Sequence, residues 1–308
     1  WRMISIFTKK AGAGPQQDLS GKRKKRVQFS MYYVIKYIVF AIFVIYAVSL
    51  LMPFLWMLFN SVKPKGEFLS GNIFGLPSEL TFGNYINILR YEIQGETVYE
   101  MFFTSVVLTL LGTFVNVFFS TITAYCVAKY KFPGRKIVMG VAIFTMIIPI
   151  VGTLPAQVQM MEMFNLSDSM IGVLFLYSGC FGFNFILMHS SFESISWSYA
   201  EAAQLDGANR AQILFRIMLP IAAGPIIAVA VLQAINVWND YSTPFLFMPS
   251  QKTLAVGLQR LQNQLSGQGG DYPGIFAAVI VAVLPIFILY ACFQKKIMEN
   301  TVAGGLKG

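Results

Sequence analysis

The chain has 308 residues, of which 56% are hydrophobic and only 12% are charged, and its formal net charge is +9. A soluble domain of average composition has about 25% charged residues, so an ordinary soluble protein is excluded and a membrane protein is predicted. The three cysteines lie far apart and show no metal-ligand spacing. We interpret the single histidine, His189, as a helix-end residue rather than a metal ligand or a base.

Basic residues are concentrated at the N-terminus. Eight of the 23 lysines and arginines fall within residues 1–26, and the run Lys22–Arg26 directly precedes the first apolar segment. A cluster beside a span orients the span and contacts anionic lipid headgroups. Nucleic-acid binding is the weaker alternative for such a run, so we expect a lipid partner and no nucleic acid. Residues 1–31 are predicted to form a basic cytoplasmic segment.

The rest of the chain contains apolar runs that are long enough to cross a bilayer, which takes about 17–25 residues. We predict an all-α polytopic membrane protein with a permease domain over residues 32–293 and a cytoplasmic tail over residues 294–308. Its six transmembrane helices are predicted at residues 32–59, 102–128, 136–156, 170–190, 217–243 and 273–293.

The loops between these runs predict the orientation. With the N-terminus inside, the inner segments carry 17 basic residues and the outer loops carry 5, while Lys36 lies within the first run. Since cytoplasmic loops are enriched in Lys and Arg, both termini are predicted to be cytoplasmic. We expect the protein to be a multi-pass component of the cell membrane.

The second predicted span has small or compact residues at every fourth position. A stripe of this kind lets a neighbouring helix approach closely, and we favour a packing seam over a pore lining. Asn116 is the exception and a candidate pathway-lining residue, because an amide in the membrane must find a partner. The stripe consists of Gly112, Asn116, Ser120, Ala124 and Ala128.

The fifth predicted span contains the densest group of polar residues. Gln233 and Asn236 lie about one turn deeper than Asn239 and Asp240. Polar groups within spans usually face a bundle interior or a water-filled path, which favours a translocation pathway for the deeper pair. For Asn239 and Asp240, an interfacial helix end flanked by aromatic residues remains an alternative.

A polar stretch over residues 197–216 separates the fourth and fifth runs on the predicted cytoplasmic side. Ser198 and Glu201 have the spacing of a capping box, with Ser198 as the N-cap. Gly207 suits the left-handed position that ends a helix. Ala202 and Ala203 would let another surface come close, and Pro220 is expected where the fifth span begins. These features favour a short docking helix followed by a fixed turn.

No sequence pattern in the chain predicts an active site. A phosphate-binding loop of the form GxxxxGK[ST] is absent, and no nucleophile, metal or paired-carboxylate arrangement is evident. We therefore expect a transport subunit that is not an enzyme. Its energy would come from a partner or from an ion gradient.

The polar stretch resembles the EAA loop of the membrane subunits of binding-protein-dependent ABC importers. The pattern EAA-x3-G-x9-I-x-L-P is matched by Glu201-Ala202-Ala203, Gly207, Ile217, Leu219 and Pro220. Further stretches, "NVWNDYSTPFLF", "KTLAVGLQ" and the terminal "VAGGLKG", resemble the carbohydrate-type permeases, specifically the second membrane subunit of the maltose importer.

This resemblance implies a type I ABC importer permease fold and a set of partners. The helix after Ser198 would be a coupling helix that docks on a cytoplasmic ABC ATPase dimer, with Glu201 pairing with a basic residue there. ATP and Mg²⁺ would be bound by that ATPase, and this chain would bind no cofactor. A second, homologous permease subunit and an extracytoplasmic sugar-binding protein complete the expected complex. A scoop that enters the binding protein would fall within Gln262–Gly270 and include Gln262, Asn263 and Gln264.

Two other classes of membrane protein compete with an ATP-driven carbohydrate importer. An ion-gradient-driven secondary transporter often has inverted repeats and membrane-embedded ionisable groups, and this chain shows neither beyond Asp240. A membrane enzyme or sensor lacks support from any catalytic constellation. The ABC permease is therefore the favoured hypothesis, and the secondary transporter is the alternative.

Overall fold

A computed structural model describes residues 31–147, 153–266 and 270–305 of the chain. These residues are mostly helical, as predicted. The helices are α1 (Met31–Ser61), α2 (Lys65–Leu69), α3 (Gly83–Leu89), α4 (Val98–Lys129), α5 (Arg135–Ile147), α6 (Thr153–Met163), α7 (Met170–Tyr177), α8 (Phe183–Ser194), α9 (Ser198–Leu205), α10 (Arg210–Ile213), α11 (Leu219–Ile221), α12 (Ala223–Asn239), α13 (Ser242–Phe247), α14 (Leu254–Leu265) and α15 (Tyr272–Gly305).

Two short elements depart from the predicted all-α pattern. Strands β1 (Glu92–Ile93) and β2 (Glu96–Thr97) pair antiparallel in a small hairpin. A single π-helical turn, Leu214–Met218, joins α10 to α11. Thr97 then caps α4 through a capping box with Glu100, so the hairpin sets where the long helix begins.

The fold divides between Met52 and Pro53 into two compact units. In the first unit, the described side chains of α1 are exposed and, apart from Lys36 and Ser49, almost all apolar, including Phe40 at 65% and Ile45 at 69% exposure. An apolar helix that is exposed all round is suited to lipid rather than water. The second unit contains the remaining helices and the hairpin.

The number of spanning helices is the point on which sequence and structure differ. In the described residues, three helices are long and apolar enough to cross a membrane: Tyr33–Ser61, Val98–Lys129 and Tyr272–Lys295. A fourth span exists if Arg210–Ile221 and Ala223–Asn239, which are bent by 76°, are taken together. Six continuous spanning helices are therefore not confirmed. The third predicted span includes residues 148–152, which lie outside the described residues.

The fourth predicted span is broken into two helices. Helix α7 ends at Tyr177 and α8 begins at Phe183, with Gly182 between them at φ +122°. This backbone conformation is open to glycine and costly for other residues. The predicted start of the fifth span near Pro220 is followed by a bend, and the straight helix begins at Ala223. Proline and the neighbouring π-helical turn are both recognised causes of such a bend.

The stripe of small residues on α4 packs against its neighbours, as predicted. Gly112, Ser120 and Ala124 are buried, and α4 packs against α7, α8 and α12. A Cβ atom at Gly112 would lie 2.9 Å from Cδ2 of Tyr177 and 3.5 Å from Cγ1 of Val237. The absence of a side chain at this position therefore allows the close approach of three helices.

Hydrogen bonds and an ion pair connect the segments that follow α12 to the rest of the second unit. Lys252 Nζ lies 3.5 Å from Glu96 Oε2, and the N–H of Leu254 donates to Ser105 Oγ (2.7 Å). The hydroxyl and the N–H of Ser250 donate to the Asp168 carboxylate. Mainly the hydroxyl bond holds the pKa of Asp168 below its ordinary value. These bonds fix the start of α14.

We predict that Gly112→Leu destabilises the protein, because the new side chain would overlap Tyr177 and Val237. Overpacking of this kind costs about 1–3 kcal/mol. The apparent Tm of the detergent-purified protein, followed by tryptophan fluorescence, should fall by several degrees.

Gly140→Leu is the matched control, since Gly140 is exposed on α5 and a Cβ atom there would have nothing within 4 Å. This variant should melt like the wild type. Equal melting of all three proteins would contradict the packing seam.

Candidate functional site

The predicted docking helix exists as α9, but its start differs from the prediction. Trp197 occupies the N-cap position and makes no side-chain capping bond. The predicted capping box is therefore wrong, because Ser198 is already helical. Its hydroxyl pairs with Ser196 Oγ (2.8 Å), and the N–H of Glu201 donates to the carbonyl of Trp197 (3.1 Å).

The end of α9 agrees with the prediction. Gly207 has φ +83°, its N–H donates to Gln204 O (3.0 Å), and the N–H of Ala208 donates to Ala203 O (2.9 Å). These two bonds form a Schellman motif, which requires the left-handed conformation that glycine adopts without strain. Gly207 therefore fixes the direction in which the chain leaves α9.

Asn209 provides a second cap that the sequence analysis missed. Its side chain accepts from the N–H of Gln212 (2.8 Å), and the Gln212 side chain accepts from the N–H of Asn209 (2.8 Å). The Asn-x-x-Gln spacing directly after Gly207 is a recognisable capping-box signal. Two caps in succession make the turn between α9 and α10 a defined structure.

Helix α9 has one buried face and one exposed face. Ala200 and Ala203 are buried against the protein itself, at 0% and 8% exposure. The two alanines therefore differ: at Ala203 the surface that comes close belongs to the protein itself, and only Ala202 is exposed. The outward face presents Glu201 and Ala202 together with two large apolar side chains, Tyr199 at 55% and Leu205 at 90% exposure.

Aromatic and basic residues attach this helix-turn to the end of α4. The Tyr130 and Trp197 rings pack edge to face with centroids 5.8 Å apart, and the Arg210 guanidinium lies 5.8 Å from the Tyr130 centroid. Lys129 Nζ donates to the carbonyl of Ile195. The segment before α9 therefore contacts Lys129 and Tyr130 at the end of α4, and the helix after α9 contacts Tyr130 as well.

The last three motif residues follow α10. Ile217 lies in the π-helical turn and Leu219 in α11, and both pack against a buried cluster that includes Ala203. Pro220 is exposed. It lies just before the 76° bend that leads into α12.

A second candidate site is a group of amides in the interior of the bundle. The side-chain NH₂ of Asn184 donates to Asn116 Oδ1 (2.8 Å) and to Gln233 Oε1 (2.9 Å). The NH₂ of Asn116 donates to the carbonyls of Tyr177 (3.0 Å) and Gly179 (3.2 Å). These bonds connect α4, α8 and α12 to the break between α7 and α8.

Asn184 was missed by the sequence analysis. It stands as the single amide in the apolar segment "FGFNFILM", which gives no periodic signal. Its distance from Asn116 in the sequence is 68 residues, so only the fold brings the two amides together. The rule that an amide within a span must find a partner was the available clue.

A cavity of about 300 Å³ opens beside the amides. Three of the predicted pathway residues, Asn116, Gln233 and Asn236, line it together with Asn184 and the rings of Phe181 and Phe183. No ionisable side chain belongs to this lining in the described part of the chain. The cavity therefore offers uncharged hydrogen-bonding groups beside aromatic surface.

The other two predicted pathway residues do not join this cavity. Asn239 lines a separate cavity of about 360 Å³, and its NH₂ donates to the carbonyl of Ile235 (2.8 Å). Asp240 accepts from the Tyr177 hydroxyl (2.9 Å) and from the N–H of Thr243 (3.1 Å). Because α12 ends at Asn239, both residues belong to the helix end.

The predicted scoop residues lie on the last turns of α14. Gln262, Asn263 and Gln264 are exposed there, and the predicted segment continues into residues 267–269, outside the described residues. Helix α14 is anchored by the contacts of Lys252 and Leu254 given above. Its exposed amides could therefore be presented to a partner from a fixed base.

The comparisons with known proteins agree with this architecture. Residues 116–299 match the family model described as binding-protein-dependent transport system inner membrane component. An arabinooligosaccharides transport system permease protein of Bacillus subtilis is 30% identical, over 91% of this chain and 98% of its own length. A sulfoquinovosyl glycerol transport system permease protein of Agrobacterium fabrum is 28% identical, over 84% of this chain and 89% of its own.

A solved structure extends the likeness to the fold. It is a chain of a bacterial ABC transporter involved in the import of the acidic polysaccharide alginate, with a TM-score of 0.77 and 26% identity over 87% of this chain and 98% of that chain. The family match covers more than half of the sequence and includes the amide cluster and the whole helix-turn around α9. The chain belongs to the family of inner membrane components of binding-protein-dependent transport systems.

Proposed function

We propose that this chain forms half of the translocation pathway of an ATP-driven carbohydrate importer and couples that pathway to a separate ATPase. As a family member, the chain is a membrane-embedded transport subunit and not an enzyme. The observation that carries the proposal is the exposed helix-turn around α9, built on the family's motif. An ion-gradient-driven transporter has no use for such a docking helix.

Carbohydrate is the substrate class that the relatives support. The two relatives and the solved structure reported above are named as transporters of sulfoquinovosyl glycerol, arabinooligosaccharides and alginate. They differ in size and charge and share only their saccharide nature. The uncharged, aromatic-lined cavity of this chain is compatible with such a solute.

The outward face of α9 is the proposed contact with the ATPase. Leu205 is 90% exposed and Tyr199 is 55% exposed, and burying an exposed leucine side chain on a partner contributes about 1.5–3 kcal/mol. Glu201 is exposed on the same helix, where a basic residue of the ATPase can reach it. ATP and Mg²⁺ would be held by the ATPase dimer, with no cofactor on this chain.

The attachment of α9 supports a mechanical role. The Schellman turn at Gly207 and the ring contact between Tyr130 and Trp197 fix the helix to the end of α4. A displacement of α9 by ATPase closure would then move α4, α8 and α12 as a rigid body, which is a common route to alternating access. The amide-lined cavity lies between those three helices.

Further partners follow from the same proposal. A homologous permease subunit would complete the pathway, and a sugar-binding protein would dock outside, where Gln262, Asn263 and Gln264 are candidate contacts. The exposed apolar α1 would face lipid. We propose that both termini are cytoplasmic, because the basic residues accumulate on that side.

The function is tested on the complex assembled in liposomes from this chain, its paired permease, the ATPase and the binding protein. Carbohydrate-loaded binding protein should stimulate ATP hydrolysis several-fold, and unloaded binding protein should stimulate it less. Stimulation by an amino acid in place of every saccharide tried would contradict the substrate class. An ATP hydrolysis rate that is the same with and without the binding protein would contradict the coupling of transport to the ATPase.

We predict that Leu205→Asp weakens binding of the ATPase, because a carboxylate would replace apolar surface in the contact. The amount of ATPase that co-purifies with the tagged chain should fall at least tenfold, and Glu201→Lys should lower it in the same direction. Leu76→Asp is the control, at a residue that is 72% exposed outside α9. It should leave the amount of co-purified ATPase unchanged. Co-purification equal to wild type for both α9 variants would refute this docking face.

We predict that Gly207→Val abolishes ATP-driven uptake while the protein still inserts into the membrane. A β-branched residue at φ +83° is strained, so the direction of the turn would change. Gly140→Val is the control, since Gly140 has open space around it and an ordinary backbone conformation. Uptake rates in membrane vesicles, normalised to the amount of inserted protein, provide the measurement. Uptake at the wild-type rate by the Gly207 variant would contradict the coupling role of α9 and leave it as a connection between two helices.

A further inference from the structure

The amides around the cavity have hydrogen-bonding capacity that the protein does not use. The side-chain NH₂ of Asn184 donates one hydrogen bond to Asn116 and one to Gln233. Its Oδ1, and the NH₂ of Gln233, have no hydrogen-bond partner among the described residues. Both side chains line the cavity and are half-buried, so their free groups are accessible to a molecule there. They offer one acceptor and one NH₂ donor group in fixed positions.

Asn236 adds a third group on the same side. It lies on α12 about one turn after Gln233, lines the cavity and is exposed. Its carboxamide has no hydrogen-bond partner within the part of the chain that the structure describes. Unlike Asn116, it holds no helix in place. Its polar group is therefore free to contact a solute.

Aromatic surface accompanies these amides. Phe181 and Phe183 flank Gly182 at the start of α8, and they are 38% and 58% exposed. A sugar ring has a rim of hydroxyls, which hydrogen-bond to amides, and apolar C–H faces, which pack on aromatic rings. A pocket with aromatic walls and a few fixed polar groups is the usual form of a small-molecule site.

The charge of the lining restricts the ligand further. The described lining contains no Lys, Arg, Asp or Glu. Moving a charged group from water into such a site is costly unless an opposite charge is present. The lining therefore suits a neutral sugar unit and disfavours a uronate, in contrast to what an importer of an acidic polysaccharide must accommodate.

We propose that Asn184, Gln233 and Asn236, with the rings of Phe181 and Phe183, form a contact site in this subunit for a neutral sugar unit crossing the membrane. This site rests on the proposed function. Beyond that function, it specifies where on this chain the solute is recognised. It also predicts a preference for uncharged saccharides.

The test uses the assembled importer in proteoliposomes. The probes are radiolabelled maltose, cellobiose, trehalose and digalacturonate, each supplied at saturating concentration with the binding protein. Asn236→Leu removes a free amide, and Gln233→Glu keeps the acceptor for Asn184 while replacing the NH₂ donor with a carboxylate. Asn239→Leu is the matched control, because Asn239 lies on the same helix outside this cavity and its side chain donates to the backbone carbonyl of Ile235.

Loss of one or two hydrogen bonds to the solute predicts a reduction in neutral-sugar uptake of about three- to tenfold. Asn236→Leu and Gln233→Glu should both show this reduction in uptake. In both variants, the ATP hydrolysis that loaded binding protein stimulates should stay near the wild-type level. Phe183→Ala should act in the same direction. Asn239→Leu should transport like the wild type. A role in folding alone would instead lower uptake and stimulated hydrolysis together.

Unchanged uptake in the Asn236, Gln233 and Phe183 variants overturns the contact site while leaving the importer function intact. A parallel loss of hydrolysis and uptake overturns it as well, because the residues would then be structural. Wild-type transport of digalacturonate in preference to the neutral sugars overturns the charge preference. A wild-type complex in which no saccharide-loaded binding protein stimulates hydrolysis refutes the proposed function itself.

Discussion

The hydrogen bonds of Asn116 are the interaction on which the interior of the bundle depends. In a bilayer, backbone carbonyls that are freed by a broken helix need a partner within the protein, since no water is available there. The break between α7 and α8 frees such groups, and Asn116 donates to the carbonyls of Tyr177 and Gly179. Its own oxygen accepts from Asn184, which also bonds to Gln233. One side chain on α4 thus makes the break compatible with the membrane and leaves a polar cavity beside it.

Helix α4 is consequently the common element of both candidate sites. Its middle carries Gly112 and Asn116, which set the spacing and the polar contacts with α7, α8 and α12. Its end carries Lys129 and Tyr130, which contact the segment before α9. In the proposed mechanism, a force applied to α9 would reach the cavity through this one helix. This arrangement gives a physical basis for transport in a subunit with no phosphate-binding loop of its own.

The features that the sequence predicted well are those that short-range rules govern. A left-handed glycine at 207 follows from the local chemistry of helix ends, and the seam on α4 follows from a four-residue period. The start of α9 was mispredicted because Ser198 meets Ser196, a contact that the capping pattern does not encode. The faces of Ala202 and Ala203 depend on the orientation of α9 against its neighbours, which the motif alone does not specify.

Longer-range features were harder to predict for a related reason. Hydropathy shows that a segment is apolar, but it does not show whether the segment is one helix or two, so the break at Gly182 was missed. Asn239 and Asp240 were grouped with the deeper polar residues by proximity in the sequence, whereas the end of α12 separates them from the cavity. Asn184 became recognisable only when folding brought it to Asn116. The contact between Asn184 and Asn116 joins residues that are 68 positions apart, so no local pattern encodes it.

The central claim is that this chain provides a pathway driven by ATP hydrolysis on another subunit, and solute uptake tests it most directly. The assembled complex is sealed into liposomes with ATP in the compartment that contains the ATPase, and labelled saccharide and binding protein are added on the opposite side. The account predicts accumulation that requires ATP and persists when all ion gradients are dissipated. Accumulation by the isolated chain, driven by a proton or sodium gradient without ATP, would contradict it.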